Sequence, residues 1–90
     1  MKLWAKVILK HKIIDDLTIE LPDDQRDLVT RVKEVMDEVA YDFDQQHPIW
    51  MKQNEEDFKR FGRTEFHQEH YIEVINFTKL EIELIDEDKQ

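Results

Sequence analysis

The sequence predicts an α+β fold: a three-stranded antiparallel sheet, one long helix packed on one face, and short closing helices. Two observations carry that expectation. Apolar residues alternate with polar ones in three separate stretches, the period of a half-buried strand. Between the second and third stretch, apolar residues recur at helical spacing over more than four turns. The chain has 90 residues and reads as one domain, residues 1–90. A domain this short buries roughly two-thirds of its unfolded surface.

Residues 2–9 set Leu3, Ala5, Val7 and Leu9 on one side and Lys2, Trp4, Lys6 and Ile8 on the other. A turn is expected near Lys10-His11-Lys12, although the Asn-Gly pair of a tight hairpin is absent. Residues 13–21 form the second strand, with Leu17, Ile19 and Leu21 inward and Asp16, Thr18 and Glu20 outward. The Asp15-Asp16 pair interrupts its middle and marks a candidate bulge.

Leu21-Pro22-Asp23-Asp24 reads as a helix start, with Asp23 as the capping acceptor. The stripe that follows is Leu28, Val29, Val32, Val35, Met36, Val39, Ala40 and Phe43. It must end before Pro48, which disfavours helical geometry at His47. Pro48-Ile49-Trp50-Met51 fits either a short helical turn or a packed loop. Asn54 resembles an N-cap, Phe58 and Phe61 share a face, and Gly62 stands as a C-terminal stop. Tyr71, Ile72, Val74 and Ile75 suit a short helix over 68–75. Residues 77–85 alternate again as the third strand, and the tail Asp86–Gln90 is expected to fray.

Composition excludes several chemistries. There is no cysteine and no serine, so thiolate, disulfide and serine-nucleophile chemistry are absent. One glycine cannot build a glycine-rich phosphate cradle. No apolar run approaches the ~20 residues that span a bilayer, and no signal peptide opens the chain. A cytoplasmic protein without cofactor, membrane contact or direct nucleic-acid binding is the expectation. The net charge is −9, against the clustered lysine and arginine that displace counterions from nucleic acid. That charge is uneven: residues 1–12 hold four lysines and no acid, and the remainder balances to −13.

Short stretches carry a resemblance. Lys2-Leu3-Trp4-Ala5-Lys6, Pro48-Ile49-Trp50, Phe61-Gly62-Arg63-Thr64-Glu65-Phe66 and Glu81-Ile82-Glu83 resemble a family of small uncharacterised bacterial proteins from Firmicutes. The resemblance implies a bacterial cytoplasmic setting and supplies no activity and no site.

Three features compete for function. Trp4 and Ile8 form an apolar spot on the polar side of the first strand, framed by Lys2, Lys6 and Lys10; with Trp50 they are the candidate contacts of a protein-interaction module. For Trp50, closing the end of the core is the stronger reading. Lys6 and Lys10 are expected to face Glu81 and Glu83 if the first and third strands are neighbours. His67, His70 and Glu73 are a candidate metal set, although the spacing matches neither His-Glu-x-x-His nor its inverse. The long helix region 23–44 carries eight acids against three bases, which suits a solvated face or a nucleic-acid mimic. No pair of carboxylates stands out for acid–base work, and no threonine has an evident activating base. The leading expectation is a non-catalytic module that binds another protein or a second copy of itself.

Overall fold

The computed structural model describes residues 1–85, so the tail expected to fray lies outside the described residues. In chain order the elements are β1 (Lys2–Leu9), β2 (Lys12–Glu20), α1 (Leu28–Phe43), α2 (Lys52–Phe61), β3 (Arg63–Phe66), a 3-10 turn Gln68–His70 and β4 (Lys79–Ile85). Among the described residues the fold is α+β, as expected, but the sheet has four antiparallel strands rather than three, in the order β2-β1-β4-β3. Only α1 is long.

The added strand is β3. Gly62 ends α2 in the left-handed region at φ 73° and reverses the chain. Its C=O accepts from Leu84 N–H at 2.7 Å, which starts the pairing with β4. Thr64 and Phe66 then point inward and are buried, with Arg63 and Glu65 on the other side. Four residues are too few for the alternation to stand out in the sequence.

β1 and β2 form a hairpin whose turn residues Lys10 and His11 both have positive φ, 52° and 72°. That is the twist a two-residue hairpin requires, here met without glycine or asparagine. The expected bulge exists, one residue before the Asp pair: Val7 faces Asp15 and Ile8 faces Ile13, so Ile14 is the extra residue.

α1 begins at Leu28, five residues after the expected cap Asp23. Asp24 explains the delay. Its side chain accepts Arg26 N–H at 2.9 Å and pairs with the Arg26 guanidinium at 2.7 Å, which holds residues 24–26 in a bend. α2 begins at Lys52, so Asn54 lies inside its first turn rather than at the cap. Residues 68–75 hold only the 3-10 turn, not a helix. Ile72, Val74 and Ile75 are β-branched and resist helical χ1. Gln68 and Gln46 instead hold the backbone of Glu73 and Ile75 through side-chain hydrogen bonds.

One core joins these elements. Leu3, Ala5 and Val7 of β1 and Leu80 and Ile82 of β4 meet Val32, Val35, Met36 and Val39 of α1, Phe58 of α2, Phe66 of β3, and Tyr71 and Phe77 from the loop before β4. Both helices therefore cover the same face of the sheet. No helix among the described residues is long and apolar enough to cross a membrane.

Candidate interaction surface

The opposite face of the sheet is built by the other half of each alternation. β1 contributes Lys2, Trp4, Lys6 and Ile8; β4 contributes Lys79, Glu81 and Glu83; β3 contributes Arg63 and Glu65; β2 contributes Asp16 and Thr18. The pairing register sets Lys6 opposite Glu81 on one side and Asp16 on the other. The expected pairing of the lysine row with Glu81 and Glu83 holds for Lys6: its Nζ lies 3.0 Å from Glu83 and 3.3 Å from Glu81. Lys10 lies in the turn, beyond the reach of this ladder.

Trp4 is half-buried and is locked from two sides. Its indole N–H donates to an Asp16 carboxylate oxygen at 2.9 Å, and the Lys6 ammonium sits 4.0 Å over its ring. Lys6 is thereby only 7% exposed although no helix covers it. The neighbouring side chains of the face bury it, and the two glutamates neutralise it. This is a rigid tile of an aromatic ring and paired charges, with half-buried Ile8 two residues further along the strand.

Glu65 and Glu81 are direct cross-strand neighbours, a like-charge contact. Two lysines and a histidine ring relieve it: Lys79 reaches Glu65 at 2.8 Å, His67 Nε2 lies 3.1 Å from the other Glu65 oxygen, and Lys6 takes Glu81. Burial alone would raise the Glu65 pKa. The hydrogen bonds from Lys79 and His67 outweigh it and hold the carboxyl below the ordinary glutamate value. A depressed carboxyl contributes stability above its unfolded pKa and loses it as pH falls through the folded value. The stability difference between the wild type and Glu65→Gln is therefore expected to be largest near neutral pH and to shrink below the normal glutamate range. Urea unfolding of both proteins across pH checks this, and a difference that stays constant would contradict the assignment.

The histidines are near one another without Glu73. His67 N–H donates to His70 Nδ1 at 2.9 Å, so the neutral His70 ring keeps its proton on Nε2. His70 is buried, edge-on to Phe66 at 5.5 Å. Glu73 belongs to the loop after the 3-10 turn, and the helical face that was to align it with His70 is not formed. Among the described residues, no three His, Asp or Glu side chains form a group suited to hold a metal ion. The nearby cleft, about 500 Å³, is lined by Asn54, Asp57, Phe61, Arg63, His67 and His70 among others.

Trp50 does not join Trp4. It sits edge-on to Phe58 and Phe66, at 6.1 and 5.3 Å, at the margin of the core. The reading of Trp50 as an end-closing residue matches this placement. The acidic face of α1 is partly neutralised, with Arg26 bridging Asp24 and Glu34 and Lys33 pairing with Glu55 of α2. No protein-family model, curated protein or solved structure matches the chain.

The sequence reads Asp16 as an outward strand residue and Asn54 as a helix cap, and discloses the partners of neither. Asp16 is assigned to Trp4 only by the hairpin register, which a bulge alters. Asn54 is buried, accepts Met51 N–H at 2.8 Å, and donates to Thr64 Oγ1 and the Glu65 C=O, both at 3.0 Å. Its partners lie on β3, a strand of four residues that the sequence pattern does not disclose.

Proposed function

We propose that the chain is a non-catalytic protein-interaction module of the cytoplasm, and that the sheet face bearing Trp4, Lys6 and Ile8 is its contact surface. One observation carries the reading. Both helices and the aromatic loop residues pack on a single side of the sheet, while the other side presents a tryptophan in contact with Asp16 and Lys6 among paired charges. Such a surface suits recognition. The ring offers large contact area with little rotamer entropy left to lose, and the flanking ion pairs set register.

The expected result of Trp4→Ala is a fall in partner affinity of about tenfold or more, the loss typical of a central aromatic anchor. The same change should cost folding only about 1–2 kcal/mol, from the lost Asp16 bond and cation–π contact. A photo-cross-linking residue placed at position 4 should capture a defined protein, compared with one placed at Glu20 on the margin of the face. Equal, diffuse labelling from both positions, with a large stability loss in Trp4→Ala, would assign Trp4 to structure alone.

A further inference from the structure

Opposite charges and exposed apolar side chains are gathered at one end of the molecule. The hairpin tip is Lys10-His11-Lys12, all exposed, followed by Ile13 and Ile14 at 50% and 54% exposure. No carboxylate among the described residues pairs with Lys10 or Lys12. α1 starts at the far end, where Arg31 donates to the Pro22 C=O and Leu21 N–H bonds the Met1 C=O. Its 16 residues run about 24 Å, back along most of the hairpin's length. It finishes at the same end of the sheet as the tip. Asp44 lines a cavity with Phe77, and the residue after Phe77, Thr78, accepts from Lys10 N–H and donates to the Ile8 C=O.

At this end α1 forms an open hollow of about 710 Å³ lined by Asp37, Tyr41, Asp42, Asp44 and His47. Tyr41 is 87% exposed, and Ile72 and Val74 on the nearby loop are 85% and 90% exposed. A basic tip flanked by two isoleucines and an acidic hollow holding a bare tyrosine are complementary in sign and in polarity. Both lie at one end of the sheet, so a two-fold axis can satisfy both at once.

Deepening the interaction-module reading, on which this rests, we infer that the partner at this end is a second copy of the chain. The Lys10–Lys12 tip of each copy seats in the other's Asp37–Asp42–Asp44 hollow, with Ile13 and Ile14 against Tyr41. Each contact occurs twice, and the exposed apolar groups of both ends are removed from water together.

Charge exchange tests it directly. Sedimentation equilibrium at about 0.05 M salt should show a monomer–dimer equilibrium that shifts towards monomer at about 0.5 M, as exposed ion pairs are screened. The K10E/K12E chain, with tip and hollow both acidic, should be monomeric. The D42K/D44K chain, with both basic, should also be monomeric. An equimolar mixture of the two should form a heterodimer, because each tip again meets a hollow of opposite sign. Restoration by mixing separates a docking effect from a folding defect, and circular dichroism of each variant confirms the fold. A wild type that stays monomeric at millimolar concentration, or a mixture that stays monomeric, overturns the inference. If the wild type is monomeric while Trp4 still captures a foreign protein, the interaction-module reading survives and only the self-docking falls. If the dimer forms by charge exchange while position 4 captures nothing, the self-docking stands and the sheet face loses its role.

Discussion

Phe58→Ala is expected to destabilise the protein by about 3–5 kcal/mol, the cost of removing a fully buried aromatic ring and leaving its cavity. The side chain is 0% exposed and stands edge-on to Trp50 at 6.1 Å. It is also the main apolar anchor of α2, whose other buried residue is polar. A domain of this length has roughly 5–10 kcal/mol of total stability, so the variant should unfold at far lower urea or fail to fold at physiological temperature. Phe58→Leu keeps most of the volume and should cost about 1–1.5 kcal/mol. Equal losses for the two variants would mean that the ring's shape, not the cavity, decides the packing.

Asn54 is the second sensitive position. Asn54→Ala is expected to cost about 2–3 kcal/mol, because it leaves Met51 N–H and the Glu65 C=O without the partners they have at 2.8 and 3.0 Å. Asn54→Asp is the sharper test. A carboxylate still accepts from Met51 N–H, yet it cannot donate to the Glu65 C=O and sets charge against a carbonyl dipole. Folding should therefore disfavour its ionised form and raise its pKa. Relative to wild type, Asn54→Asp should be most destabilised near neutral pH and recover as pH falls through the carboxyl range. A deficit independent of pH would place the defect in helix propensity rather than in the lost donor.

β1, β2, β4 and the stripe of α1 were legible because each repeats its period over seven or more residues. Gly62 was legible because only its left-handed geometry ends α2 and starts the return. β3 was hidden by its four-residue length, and with it the partners of Asn54. α1 starts later than a cap at Asp23 predicts, because Asp24 holds residues 24–26 in a bend through Arg26. Phe61 shared a helical face with Phe58 in the pattern but is 66% exposed, since it is the final residue of α2. At the site, opposite rows of charge disclosed the Lys6 ladder, while the Trp4–Asp16 bond needed a register that a bulge displaces. Long-range side-chain partners such as Asn54 and Thr64 leave no periodic trace, so only the fold reveals them.

The strand order has a consequence for the timing of folding. β1 and β4, the first and last strands among the described residues, are neighbours at the centre of the sheet. During synthesis the β1–β2 hairpin and α1 emerge early, yet the inner edge of β1 waits for residues 79–85 before it finds its partner. Such distant pairing slows folding, because loop closure precedes the contacts that reward it. Until β4 arrives, the nascent chain holds Leu3, Ala5 and Val7 beside an open strand edge, the kind of species that holdase chaperones bind. Ribosome-arrested chains ending before Lys79 should accordingly be protease-sensitive throughout, and those that include Ile85 outside the ribosome should become protected in a single step.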